Sequence, residues 1–187
     1  SSLTVQNIQG SASSSNTISV ASGHKISGAA GSIVAPGHVI QVIDSGPKTS
    51  QVTVQSTTFA DTAMVNVAIT PKFSTSKIYV VVTQTIQIWN SSAYATGRWR
   101  ILRNIGGGSY AAVMEDLSTA NGNIFAYDYG GSGINVYFPM TYQFLDSPNT
   151  TSQVIYKTQI AQGSNGGNRI TSDGSNPARM TLQEIAQ

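Results

Sequence analysis

Eight carboxylic acids, two histidines and no cysteine are the side chains in this 187-residue chain that could carry acid–base, nucleophilic or metal chemistry. The acids are Asp44, Asp61, Glu115, Asp116, Asp128, Asp146, Asp173 and Glu184. Glycoside hydrolysis needs two carboxylates on either side of the scissile bond, about 5 to 9 Å apart. Glu115 and Asp116 are adjacent, so on a strand they face opposite sides and cannot form that pair. A Ser-His-Asp arrangement would have to use His24 or His38, both in the glycine-rich arm, and the sequence has no Gly-x-Ser-x-Gly nucleophile elbow. Gly130-Gly131-Ser132-Gly133 lacks both the spacing and the strand-to-helix context of such an elbow. The histidines read better as turn or interface residues.

Phosphate-cradling loops are missing: the glycine triplets precede no helix. Asp128-Tyr129-Gly130 and Asp173-Gly174 offer too few oxygens for a calcium ion, and each reads as a turn. The lack of cysteine rules out disulfides, thiolate metal sites and thiol nucleophiles. No catalytic residue, metal site or cofactor is therefore expected, and a glycan-depolymerising spike is the remote enzymatic alternative. The remaining candidates are aromatic. Trp89 and Tyr94 flank one polar loop, while Tyr127 and Tyr129 flank another, and exposed rings on loops contact sugars or partner proteins. Arg98, Arg100 and Arg103 alternate with Trp99 and Ile101 and read as the solvated face of an amphipathic strand. Phosphate binding would need more contacts than these, so no nucleic-acid partner is expected.

The elements that must position these residues are strands. Apolar residues make up 40% of the chain and charged residues 10%, against about 25% charged in an average domain. Ser, Thr, Asn, Gln and Gly fill the difference, which favours strands with Thr- and Gln-rich outer faces over surface helices. The net charge is +2. The longest apolar run, Ile78 to Val82, is far too short for a membrane span, and no leader-like segment is read before the first strand.

Alternation predicts strands over 39–43, 51–55, 64–69, 77–89, 98–103, 110–114, 124–127, 134–145, 153–160 and 180–185. The first half of 77–89 reads as buried on both faces and the second half on one. Glycine-rich or Asn-Gly turns and the long stretch Gly163 to Pro177 separate these runs, and helix is limited to a turn around Leu117 to Ala120. This spacing predicts an all-β fold, an antiparallel sandwich of jelly-roll type. Residues 1–38 differ: they lack aromatics and carry only short apolar pairs, so they are expected to form an extended anchoring arm before a sandwich domain over 39–187. Within the arm Gly23-His24-Lys25-Ile26 is echoed by Gly37-His38-Val39-Ile40.

Several segments, taken in order, resemble a family of virion structural proteins of marine and freshwater phages, cyanophages included. They are Ala35-Pro36-Gly37-His38-Val39-Ile40-Gln41-Val42, Thr58-Phe59-Ala60-Asp61-Thr62, Val65-Asn66-Val67-Ala68-Ile69-Thr70-Pro71-Lys72, Arg100-Ile101-Leu102-Arg103, Phe144-Leu145-Asp146-Ser147-Pro148, and the closing Ala178-Arg179-Met180-Thr181-Leu182-Gln183-Glu184-Ile185. The resemblance covers about residues 33 to 187. It implies a β-rich domain assembling as a homotrimer on the surface of a particle made in a bacterial cytoplasm, and it carries over no catalytic residues. Two roles fit: a head decoration or cement protein gripping capsid subunits through residues 1–38, or a tail fibre or receptor-binding tip touching a host-surface glycan. The short arm leaves little chain for a fibre shaft, which favours decoration.

Overall fold

The structure is a computed structural model that describes residues 8, 10, 12–14, 18–28, 34–64, 66–92, 94–115, 124–127, 131, 133–163, 169–172 and 175–187. The chain divides into two units, Ser1–Ile33 and Val34–Gln187. The second begins ahead of the expected boundary at residue 38 for a local reason. The Gly37 N–H donates to the Ala186 carbonyl at 2.8 Å and the Ala186 N–H to the His38 carbonyl at 2.9 Å, so 34–38 belong with the strands.

In the first unit, Ala12–Ser14 forms a 3-10 turn and the His24 N–H donates to the Ala21 carbonyl at 3.1 Å. The same turn recurs in the second unit, where the His38 N–H donates to the Ala35 carbonyl at 3.0 Å. Gly23 and Gly37 occupy the third position of each turn at φ 82° and 85°. Type II turns need a residue that tolerates positive φ there, so the Gly-His echo in the sequence is an echo of one turn.

The second unit contains strands β1 (Val39–Asp44), β2 (Val52–Val54), β3 (Ala60–Asp61), β4 (Val67–Ile69), β5 (Lys77–Asn90), β6 (Tyr94–Ile105), β7 (Ala111–Glu115), β8 (Ile124–Tyr127), β9 (Ile134–Asp146), β10 (Val154–Gln162), β11 (Arg169–Ser172) and β12 (Arg179–Ile185). All paired strands are antiparallel. One sheet runs β1-β12-β5-β9, with β11 beside the second half of β5 and β2 beyond it. In the other, β3 and β4 flank β10, which pairs with β6, and β6 pairs with β7 and β8. Leaving aside the short β2 and β11, and treating β3 with β4 and β7 with β8 as single interrupted strands, the remaining eight read first-eighth-third-sixth and second-seventh-fourth-fifth in chain order. That is the jelly roll, as the sequence predicted.

The core lies between the sheets. Ile78, Val80, Val82, Ile86 and Ile88 of β5 and Met180 and Leu182 of β12 meet Trp99 and Ile101 of β6 and Tyr156 and Ile160 of β10. A buried polar chain threads it. Gln84 Oε1 accepts from Trp99 Nε1 and from Thr158 Oγ1, both at 3.1 Å. Because the Thr158 hydroxyl gives its proton to Gln84, the 2.6 Å contact with Thr62 requires Thr62 to donate. Thr62 in turn accepts the Met64 N–H at 3.0 Å.

Three sequence expectations change. Gly163 to Pro177 is not all turn, since β11 pairs with both β2 and β5. The strand expected from Met64 is shortened to β4, because Asn66 sits at φ 56° and leaves the ladder. On β5 the two halves are reversed: residues 86–88 are all buried, whereas Tyr79 and Val81 on the outer face are only half-buried. The helical turn expected around Leu117 to Ala120 lies outside the described residues.

Gly163 closes β10 against Thr96. A Cβ there would stand 1.9 Å from Thr96 Oγ1 and 2.5 Å from its Cβ. Gly163→Ala is expected to lower stability by about 2 kcal/mol through overpacking, read as a lower urea midpoint at unchanged slope; an unshifted midpoint would contradict the close approach.

Candidate functional site

The aromatic candidates do not form one site. Trp89 lies near the end of β5 on the outer face of the first sheet, since Ile88 and Asn90 on either side of it point inward. Tyr94 opens β6 and is paired with Tyr127 at the end of β8. Their rings meet edge to face, 6.4 Å between centroids at 66°, on the outer face of the second sheet. Alternation along two opposed sheets thus separates Trp89 from this pair. Tyr129 lies outside the described residues. His24 and His38 are both exposed and fall in different units.

The Asn90 side chain bridges the loop between β5 and β6, donating to the Tyr94 carbonyl and accepting the Ser92 N–H at 3.1 Å. Beside it lies a cleft of about 290 Å³ lined by Trp89, Asn90, Ser91, Gly133, Ile134 and Asn135. Gly133 has φ 102°, and a Cβ there would approach the Asn90 carbonyl oxygen at 3.1 Å, so the cleft wall requires glycine. At the cleft rim Gln87 Nε2 donates to Asn135 Oδ1 at 2.6 Å.

The three arginines do not share a solvated face. Arg98 and Arg100 point outward from β6, and their guanidinium carbons sit 4.6 and 3.8 Å from the Phe59 ring centre. Glu115 on β7 lies 3.8 Å from Arg98 and 3.0 Å from Arg100, and Arg100 Nε donates to Gln159 at 2.8 Å. Arg103 has the opposite parity and points inward with Trp99 and Ile101. There it donates to Asp146 Oδ1 at 2.6 Å, while the Tyr156 hydroxyl donates to Oδ2 at 2.5 Å. Burial first, then this hydrogen bond and the Asp146 charge, raise the Tyr156 phenol well above its ordinary pKa despite Arg103 nearby. This clasp joins β9 of one sheet to β6 and β10 of the other. Its signal in the sequence was the odd spacing of Arg103 from the other two.

Each of the five described carboxylates is held by its own partners. Asp44 accepts from Arg179 at 2.7 Å and from the Gly46 N–H at 2.8 Å. Glu184, fully buried on β12, accepts from Gln41 at 2.5 Å and from the N–H groups of Lys72 and Phe73 at 2.7 and 3.3 Å, pinning the loop before β5. Glu115 and Asp146 serve the arginines. Asp61 accepts from Lys157 at 2.8 Å and from Gln159 at 2.7 Å, and Lys157 lies 4.1 Å from the centre of the Tyr110 ring. Asp116, Asp128 and Asp173 lie outside the described residues. Among the described residues no three metal-ligating side chains cluster, and no helix is long and apolar enough to cross a membrane.

Asp61 supplies a pH dependence. Burial raises its pKa, but the hydrogen bonds from Lys157 and Gln159 and the charges of Lys157 and Arg100 outweigh it, so the net shift is downward. A carboxylate lowered on folding contributes stability that is present above its unfolded pKa, about 4, and lost as pH falls through the folded value. Asp61→Asn is therefore expected to be slightly less stable than the parent at pH 7, with the gap closing below about pH 4. Denaturation midpoints across pH check this, and a gap that widens in acid would contradict it.

No family model matches the chain, and no curated protein matches it. Among solved structures, it is similar to the VP2 subviral particle protein of infectious bursal disease virus, at 12% identity and a TM-score of 0.33, over 79% of this chain and 38% of that one. The protein in the structure of the Gx strain of the same virus gives 10% identity and a TM-score of 0.29, over 78% of this chain and 36% of that one. The chain thus spans less than two-fifths of these proteins, and superposition this loose carries no weight beside the strand order.

Proposed function

We propose that this chain is a non-enzymatic virion structural protein: a homotrimeric jelly-roll knob displayed on a phage particle and anchored by its N-terminal arm. Its place is the head, as a decoration or cement protein. The observation that carries this reading is the jelly-roll strand order in a body whose described carboxylates are all committed to holding strands and loops together. Jelly rolls recur in capsid, lectin and cupin domains, so the fold narrows the class without choosing within it. The ordered resemblance to phage virion proteins makes the choice.

The arm supports an anchoring role. Ile8, Ile18, Val20 and Ile26 are all exposed within it, and β-branched side chains left in water stabilise a chain only once a partner surface covers them. Deleting residues 1–33 is expected to reduce incorporation into particles at least tenfold while the body still folds, measured by quantitative mass spectrometry of purified virions. Undiminished incorporation would sink the anchoring role.

A second reading, a tail fibre or receptor-binding protein, is favoured by the cleft at Trp89, whose lining carries amides, a hydroxyl and no charge. Such a lining suits a neutral host-surface glycan. Titration with neutral oligosaccharides distinguishes the two: saturable binding lost in Trp89→Ala would favour attachment over decoration.

A further inference from the structure

The two outer faces of the sandwich differ in charge. On the second sheet the outward side chains include Arg98, Arg100, Glu115, Asp61 and Lys157, closed on one another by ion pairs. On the first sheet the strand registers align Val42, Gln183, Tyr79 and Leu145 in one row across β1, β12, β5 and β9, with Val39 and Ile185 beside it. Val39, Val42, Tyr137 and Leu145 on this face are 50%, 55%, 51% and 48% exposed. Among the described residues of these four strands, the charges on this face are Lys77 and the mutually bonded pair Asp44 and Arg179.

β9 bounds this face. Among the described residues only β5 pairs with it, and it carries no charge from Ile134 to Leu145. Long margin strands are ordinarily protected by lysines or by a cover. Here the only protection in the strand is Pro139, whose missing N–H interrupts pairing at one point.

We propose that this face, from Val39 on β1 to the β9 margin, is the surface on which a second copy of this chain docks. Charge decides the occupant. A partner of opposite sign to a +2 chain would be met by charged rows, whereas an almost neutral face suits an uncharged surface, and every copy of the chain presents one; in a trimer the β1 side of this face meets the β9 side of the next copy's. The area fits as well. Strands of 6, 7, 14 and 13 residues, at about 3.3 Å per residue and about 4.8 Å per strand, give a face of about 600 Å². That is most of the roughly 800 Å² per partner in a standard interface, with the flank of β9 still to add. The run Ile78 to Val82 agrees, since its continuous apolar pattern asks for cover on both sides and among the described residues only the inner side is fully covered.

The inference rests on the self-association part of the proposed function and not on the virion. Its test is the solution mass of the full-length chain and two variants by sedimentation equilibrium. In Val42→Glu/Leu145→Glu two exposed positions gain charge, so the fold is retained and a thermal melt verifies it. Burying those carboxylates between copies is expected to weaken association at least a hundredfold, giving monomers. Tyr127→Glu, on the other face, is expected to keep the parent mass. If the double variant also keeps that mass, this face is not the interface although self-association stands. A monomeric parent at micromolar concentration overturns both.

Discussion

Trp99→Ala is expected to lower the unfolding free energy by about 4 kcal/mol, the upper part of the range for truncating a buried aromatic. Trp99 is almost wholly buried on the inner face of β6, and its ring stacks on Tyr142 with centroids 4.7 Å apart at 17°. Its Nε1–H is also one of two donors to Gln84 Oε1. Truncation therefore opens a cavity between the sheets, uncovers one face of Tyr142 and removes half the protons that satisfy a buried amide oxygen. Against a total stability of about 5 to 15 kcal/mol, this threatens folding itself. Trp99→Phe separates the effects, keeping a stacked ring while losing the donor, and is expected to lose about 2 kcal/mol. Urea denaturation of both measures the difference. An alanine variant within about 1 kcal/mol of the parent would mean that the sheets are not joined through this ring.

Asp146→Ala is expected to lose about 3 kcal/mol, because it strands two partners at once. Arg103 loses its carboxylate at 2.6 Å, and the buried Tyr156 hydroxyl loses its acceptor at 2.5 Å. The Ser147 N–H, 2.9 Å from the same carboxylate, loses its bond too. Asp146→Asn keeps an acceptor for Tyr156 and should be milder. Adding Arg103→Met to the alanine variant should recover part of the loss by removing the unpaired cation, and a double-mutant cycle reads that coupling. Purely additive losses would contradict a shared clasp. The raised phenol adds a pH signature: a group raised on folding contributes stability below its unfolded pKa, about 10 for tyrosine. The parent should therefore lose stability above that pH, and Tyr156→Phe should lack this component.

Local pattern and tertiary consequence were unequally legible. The alternation in β9, β10 and β12 and the Pro36-Gly37 turn are local, and the chain states them directly. The jelly-roll order is not local: Val39 pairs with Ile185, and only the completed sheet reveals β11 as a strand between β5 and β2. Residue type groups Arg103 with Arg98 and Arg100, although counting along the strand puts it on the other face, where its burial demands Asp146. Trp89 and Tyr94 are close in sequence, yet the chain changes sheets between them and the rings point apart. Phe59, which caps two arginines from the loop before β3, had no signal beyond being an aromatic beside a short strand. Tyr79 and Val81 are the reverse case. The sequence asks for cover on both faces, the described residues leave the outer one half-covered, and the proposed docking of a second copy would supply the rest.

The central claim, a jelly-roll knob on the head of a phage particle, is tested most directly by a cryo-electron microscopy map of the virion that incorporates this chain. Density fitting the body of residues 34–187 should repeat at equivalent positions over the capsid lattice, with residues 1–33 running into the underlying subunits. Density confined to the tail, or no copy in the purified particle, would contradict it.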